Sequence, residues 1–412
     1  MRTCIVTIGT RGDVQPYVAL GLGLKAAGHD VTIATLEEFK PLVQNYGLQH
    51  DTLRGDFLKV ARKASDESAT RKPGNPLRLI PQYVEMARDT LEDEWSSAHR
   101  AELFIYNPAA FGGNHIAEKL GVPSFAAVPA PLYSPTQAFP SPFFPFSNLG
   151  PLNKLSHRLF AKLGPILYRK PIGEWRKEVL GLPPAKGETM LRGKPVTKLY
   201  AYSEAILPRP ADWDESSVVT GYWFLDSPAD WQPPPELVNF LRQGPPPVYV
   251  GFGSMFMDGG VRKTEIVLNA LKLAGRRGIL ATGWGGLAVS NASDDIFVVD
   301  AVPHNWLFPR VAAVVHHGGA GTTGAALRAG RPTIICPFVG DQYFWGRRVK
   351  ALGVGPSPIS QWRLTAERLA DGIRCAVDDQ AMRQRAAALG KAIRAEDGIG
   401  RAIALIHKQL SG

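Results

Sequence analysis

Short apolar runs alternate with amphipathic stretches along most of this chain, and that rhythm predicts its elements. Residues 3–8 form a strand pattern, 9–16 a polar loop, and 17–27 a helix with one apolar face. A second strand over 30–35 follows directly after Gly28-His29, so the chain opens with a strand–helix–strand unit. Its first loop then lies at the carboxyl end of the first strand. Strands over 103–106 and 124–128 bracket a helix over 113–120, and residues 77–97 read as a further helix. Residues 62–75, rich in Lys, Ser and Gly, read as a mobile surface loop. The alternation predicts an α/β domain built on a parallel sheet.

The rhythm breaks at residues 129–151 (PAPLYSPTQAFPSPFFPFSNLGP), where prolines and aromatics crowd together without a charge. Proline prevents a regular element there, so Phe139, Phe143, Phe144 and Phe146 ride on a stiffened loop. They either line a pocket for a flat apolar molecule or fill the domain core. One long helix is expected over 152–180, with Leu152, Leu155, Leu159 and Leu163 on one face and Lys154, His157, Arg158 and Lys162 elsewhere. Such a helix either packs its leucines on its own domain or lies on an anionic membrane surface. Proline density over 200–247 marks an interdomain linker that contains a helix over 235–243. Strands resume at 248–252, 279–282, 296–299, 312–315 and 333–336, and the last helices span 365–377, 380–394 and 398–409. The expected division is a first domain over 1–205, a linker over 206–246, a second domain over 247–395 and a terminal helix over 396–412.

Most of the polar chemistry sits in the second domain. Its strand over 312–315 runs into His316-His317-Gly318-Gly319-Ala320-Gly321, and Thr322-Thr323 open a helix. Such a turn either serves packing alone, as in many doubly wound sheets, or binds an anion: glycines let the backbone approach a phosphate, and the unpaired N–H groups of the helix's first turn point at it with the positive end of the dipole. Thr322 adds a hydroxyl and His317 an imidazole. The next strand ends in Pro337-Phe338-Val339-Gly340 and delivers Asp341-Gln342. That pair either binds vicinal sugar hydroxyls or serves as a helix cap. A phosphate cradle followed by a sugar clamp is the order met along a nucleotide sugar. In the first domain, Asp13 is the one carboxylate of the 9–16 loop. It is either a general base for an attacking hydroxyl or a cap for the helix that follows.

Composition narrows this picture. With 412 residues, 45% of them hydrophobic, the chain can fill two full cores, and 20% charged residues argues against wholesale disorder. A net charge of +10 favours anionic partners, whether nucleotide diphosphates or acidic lipid surfaces. No nucleic-acid motif accompanies that charge. Cys4, Cys336 and Cys375 lie in apolar or helical contexts without metal-ligand or disulfide spacing, which fits a reducing cytosol. The apolar run at 3–8 is broken by Arg11 and Asp13, so no signal peptide is expected, and no run of about 18 apolar residues could cross a bilayer.

The segment HNWLFPRVAAVVHHGGAGTTGAALRAGRPTIICPFVGDQYFW resembles the donor-binding signature of inverting GT-B glycosyltransferases that use UDP-sugars. Its HHGGAGTT and DQ-x-FW pieces, with the opening GTRGDVQPYVALGLGLKAAGHDVTIAT, are similar to the sterol 3-beta-glucosyltransferase branch, glycopeptide glycosyltransferases being close relatives. The resemblance implies two Rossmann-like domains across a cleft and a metal-independent transfer of glucose from UDP-glucose to an apolar alcohol, with no cofactor. It implies donor contacts at Ser254, Val302, His304, His317, Gly319, Ala320, Gly321, Thr322, Asp341 and Gln342. Asp13 is then the base, and Arg11 with the four phenylalanines faces the acceptor. A terminal helix crossing back to the first domain is also implied. Plant members carry a ribose-binding glutamate where this chain has Ala325, and a base-stacking tryptophan that has no counterpart before Pro303-His304. The choice of uridine over thymidine therefore stays open, as does a sterol against a polyketide, macrolide or flavonoid acceptor. Outside the transferases, a UDP-sugar epimerase and a lipid-binding auxiliary protein remain as further readings.

Overall fold

In the computed structural model, the described residues are 1–55, 80–144, 146–163, 166–185, 190–191, 194–228, 230–253, 260–282 and 294–411. Ser254 and the stretch read as a surface loop, residues 62–75, lie outside them.

The first half of the chain builds a seven-stranded parallel sheet in the order β3-β2-β1-β4-β5-β8-β9. Its strands are β1 (Arg2–Val6), β2 (Asp30–Leu36), β3 (Gln49–Leu53), β4 (Leu103–Tyr106), β5 (Ser124–Val128), β8 (Thr197–Tyr200) and β9 (Ser217–Val219); β6 (Met190–Leu191) and β7 (Lys194–Pro195) form a small hairpin apart from it. Sequential strands run outward from β1 in both directions, so the order reverses between β1 and β4. Both faces of the sheet are covered, as parallel sheets require. Ile5 packs in one apolar layer with Ile33 and Ile105, while its neighbours Cys4 and Val6 pack in the other with Phe104 and Tyr106.

The second half forms a five-stranded sheet in the order β12-β11-β10-β13-β14. Here β10 is Val248–Gly251, β11 Gly278–Ala281, β12 Ile296–Val299, β13 Ala313–His316 and β14 Thr333–Ile335. Its order reverses between β10 and β13. The two sheets are the α/β architecture expected.

Three differences from the sequence reading follow from local chemistry. The first helix runs Arg11–Ala26, so most of the 9–16 stretch is helix rather than loop. Thr10 and Asp13 supply a cap there, and Pro16 is tolerated near the start because little of the hydrogen-bond ladder precedes it. The single helix expected over 152–180 is instead two, Asn153–Leu163 and Arg169–Glu178, with Gly164-Pro165 between them in the sequence. Strand β9 falls inside the stretch read as linker, because its three residues are too short to register as a strand pattern.

Two junctions hold the halves together. Phe139 from the proline-rich loop meets Phe344 with ring centres 5.3 Å apart and planes tilted by 54°, and Arg348 donates to the Ile206 carbonyl at 2.5 Å. The last helix, Gly398–Leu410, returns to the first domain, where Ala402 and Ile406 join the core beneath β1. At the crossing it meets Gly23, where a Cβ would sit 2.5 Å from Ile399.

Candidate active site

In doubly wound sheets a crevice opens where strand order reverses, at the carboxyl ends of the strands. This chain has two such points, after β1 and β4 and after β10 and β13, and they face each other. The Arg11 charge, from the first helix, helps to depress His304 of the second domain, and Asp13 helps to raise Asp341.

Asp13 occupies the third position of the Arg11–Ala26 helix. Its Oδ2 accepts from the Thr10 amide at 2.8 Å and the Thr10 hydroxyl at 3.0 Å, whereas Oδ1 has no hydrogen bond among the described residues. It is therefore a cap and, on its other oxygen, an available acceptor. Burial raises its affinity for a proton against the opposing Thr10 bonds. Gly9 is required beneath it, since its φ is +140° and a Cβ there would lie 2.4 Å from the carboxylate.

Tyr133 also belongs to this pocket, a residue that the sequence did not single out. Its backbone sits at φ 68°, an uncommon conformation for a bulky side chain, and although the residue is 39% exposed, desolvation at its phenol and the Asp13 charge raise it to about 12. The only signal was its place in a proline-rich segment.

Across the cleft, the helix Ala320–Arg328 begins with Gly319 at its N-cap, without a capping side chain and without an acidic residue in its first turn. The helix's own residues therefore leave the positive end of its dipole unanswered. A Cβ built on Gly321 meets no atom within 4 Å, so open space lies before these amides. His317 is wedged between two glycines: a Cβ on Gly253 would come within 3.2 Å of its Cε1, and one on Gly319 within 2.6 Å of its Nε2. Burial lowers it to about 4, leaving a neutral imidazole whose Nδ1 has no partner among the described residues. His316 is structural, fully buried beneath the turn and accepting from the Gly318 amide at 3.0 Å. His304 stacks on Phe308 at 4.1 Å and is held neutral, while half-buried Val302 packs against the same cluster.

Asp341 caps the helix Gln342–Ala351 by position, and its Oδ2 accepts from the Trp345 indole at 3.0 Å. Burial, joined by the Asp13 charge, raises it to about 6 against the Trp345 bond. Gln342 is buried, and its amide oxygen accepts from the Phe338 and Val339 amides at 2.7 and 3.2 Å. It thereby fixes the loop that presents Asp341, and only its NH₂ end is left over.

The four phenylalanines do not share a pocket. Phe139 is core, Phe144 is half-buried with its carbonyl facing Arg347, and Phe143 and Phe146 are exposed. Trp306, partly buried, meets Trp231 and Arg310, away from any stacking role. His29, just before β2, bonds Thr3 and His407. Among the described residues no three His, Cys, Asp or Glu side chains converge to hold a metal ion.

Two family models match the chain: the glycosyltransferase family 28 N-terminal domain over residues 3–138, and the erythromycin biosynthesis protein CIII-like C-terminal domain over 284–398. A sterol 3-beta-glucosyltransferase of Arabidopsis thaliana is 37% identical, with 100% of this chain aligned to 66% of that protein. A second from the same plant is 36% identical over 100% of this chain and 68% of its own length. The chain belongs to the sterol 3-beta-glucosyltransferase family. It spans only part of several relatives, covering 27% of the Cryptococcus neoformans sterol 3-beta-glucosyltransferase at 36% identity. Among solved structures, the kitacinnamycin glycosyltransferase superposes with a TM-score of 0.73 at 20% identity, covering 99% of this chain and 98% of that one. The glycosyltransferase VinC, solved with dTDP, gives 0.65 at 20% identity over 99% of each chain. These two show the GT-B fold for this family member.

Proposed function

We propose that this chain transfers glucose from UDP-glucose to the 3-beta-hydroxyl of a sterol, inverting the anomeric carbon without a metal ion. The observation that carries the reading is one carboxylate with a free oxygen, Asp13, facing an uncapped helix N-terminus and a second carboxylate across a cleft. The printed names of its relatives supply the substrate class.

In this mechanism the donor lies on the second domain. Its diphosphate meets the amides of Ala320, Gly321 and Thr322 and the imidazole of His317, and its glucose hydroxyls meet Asp341 and the Gln342 NH₂. Val302 and His304 lie by the base, and Ser254 adds a hydroxyl at the diphosphate. The acceptor oxygen attacks the anomeric carbon as the bond to UDP breaks, and the hydroxyl proton moves to Asp13 Oδ1. The electron pair leaves with UDP, where the helix N-terminus stabilises the added charge. Two Thr10 bonds on Oδ2 hold the carboxylate in position, and burial raises its basicity. The domain division given above and a location in the cytosol belong to the same reading.

The test is incubation of purified protein with UDP-glucose and a sterol, a flavonoid and a macrolide, following UDP release and the mass gain of each acceptor. Transfer to the sterol alone supports the proposal. Transfer to several acceptors replaces it with a broad natural-product glucosyltransferase, and UDP-sugar isomerisation without acceptor would mean an epimerase.

A further inference from the structure

Helix Asn153–Leu163 is built inside out. Its buried residues are the polar ones, Asn153, Ser156 and His157 at 2, 5 and 4% exposure, whereas Leu152 just before it and Leu155, Leu159 and Leu163 are 57, 56, 44 and 54% exposed. Rotation cannot correct this. Asn153 accepts from the Leu149 amide at 2.8 Å and donates to the Gln137 carbonyl at 2.9 Å; Ser156 accepts from the Ser141 amide at 2.8 Å; His157 pairs with the Phe139 carbonyl at 3.0 Å. Turning the leucines inward would strand all of these groups. The leucines at spacings of three and four form one stripe, an arrangement that folding alone does not reward.

Charge says what covers the stripe. Between Glu118 and Glu174 the chain has no Asp or Glu, but it carries Lys119, Lys154, Arg158, Lys162, Arg169 and Lys170. Arg158 and Lys162, on the helix itself, are exposed and make no ion pair among the described residues. Lys154 lies 3.9 Å from Asp212 and Lys170 lies 3.9 Å from Glu174, the acidic groups that face this surface from neighbouring elements. An apolar stripe flanked by unpaired cations complements a bilayer that offers acyl chains beneath anionic headgroups. A second copy of this face would set cations against cations.

We propose that this face docks flat on an anionic lipid bilayer. Its edge reaches the cleft: Phe143 stacks on Phe160 at 4.5 Å and lies 3.4 Å from where a Cβ of Gly340 would be, one residue before Asp341. Docking therefore turns the mouth of the cleft toward the lipid, so that an apolar acceptor enters without crossing bulk water.

The experiment is co-sedimentation of the full chain with vesicles of phosphatidylcholine, with and without about a third phosphatidylserine. Wild type is expected to sediment with the anionic vesicles and to stay in solution with the neutral ones. The pairs Leu155→Ser with Leu159→Ser, and Arg158→Glu with Lys162→Glu, are each expected to weaken binding at least ~10-fold while melting temperature and UDP binding hold. Failure of wild type to bind anionic vesicles, or binding by both pairs as tight as wild type, overturns the proposal. So does a wild-type dimer that the leucine pair converts to monomer, since the occupant is then a second copy. The readout needs neither donor nor acceptor, so it is independent of glucosyl transfer.

Discussion

At the residue scale, Asp13 serves as the helix cap that the sequence offered as one alternative, and its geometry leaves room for the proposed role as base. One oxygen caps the helix and the other is open to the cleft. Asp13→Asn keeps an oxygen for Thr10 but cannot take a proton, so the substitution separates the roles. Turnover should fall roughly 100- to 10,000-fold with UDP affinity unchanged, as measured by coupled UDP release and calorimetry. Lost UDP binding would instead mean that Asp13 holds the domain together. Trp345 gives a second, subtler prediction. Its indole bond holds Asp341 down against burial and against the Asp13 charge, which together place it at about 6. An ionised Asp341 accepts from sugar hydroxyls, so kcat/KM for the donor should fall as pH drops through about 6. Trp345→Phe removes the stabilising bond, and the acidic limb should move to higher pH. A limb that stays in place would separate Asp341 from donor recognition.

At the element scale, glycines report where helices are pressed together. Gly23→Ala gains about 1 kcal/mol of helix propensity but forces a methyl against Ile399, a β-branched neighbour that cannot swing away, and overpacking costs ~1–3 kcal/mol. Gly173, at an exposed position of helix Arg169–Glu178, would bring a Cβ within 4 Å of nothing, so Gly173→Ala should gain the propensity alone, about 0.5–1 kcal/mol. Urea melts should move in opposite directions; the same direction for both would discredit the close crossing at Gly23. The contrast also explains what the sequence could and could not say. Long apolar runs such as Leu103–Tyr106 and Ser124–Val128 were readable to the residue, because both faces of a parallel strand are buried. The Gly-rich turn before Ala320 was readable as the passage from strand to helix, because glycines interrupt the apolar run at that point. Strand β9 was not, since three residues carry no period, and neither was the start of the first helix, since a cap can extend a helix into an apparent loop. The orientation of helix Asn153–Leu163 was equally hidden. Its pattern is amphipathic either way, and three hydrogen-bonded polar groups decide which side faces in.

At the scale of the whole molecule, burial of titratable groups on both sides of the cleft sets opposing dependences of stability on pH. His115, His304 and His317 are lowered from 6.5 to about 4, and His316 goes well below its usual range. Between those values the unfolded chain binds protons that the native state refuses, so each histidine withdraws stability as pH falls from about 6.5, at roughly 1.4 kcal/mol per pH unit. Carboxylates raised by burial act in the other direction. Asp341 is raised from 3.8 to about 6, and Glu94 from 4.5 to about 8, under burial that its Gly112 amide bond only partly offsets. The native state holds their protons where the unfolded chain has released them, so stability declines as pH rises across each window. Below pH 6 these four histidines, joined by His29 and His157, which burial also lowers, outweigh the raised carboxylates Asp341, Glu94, Asp13 and Glu396, and stability should fall on acidification. Between 6.5 and 8 Glu94 acts nearly alone, and stability should fall again, by about 1.4 kcal/mol per unit. Denaturant melts from pH 4 to 8 should therefore show a maximum between about 6 and 7. Glu94→Gln, which keeps an acceptor for Gly112 but has no proton to lose, should erase the alkaline decline and leave the acidic one intact. An alkaline slope that persists in that variant would move its origin to another group, while a wild-type curve flat from 6.5 to 8 would mean that Glu94 ionises in place and is solvated there.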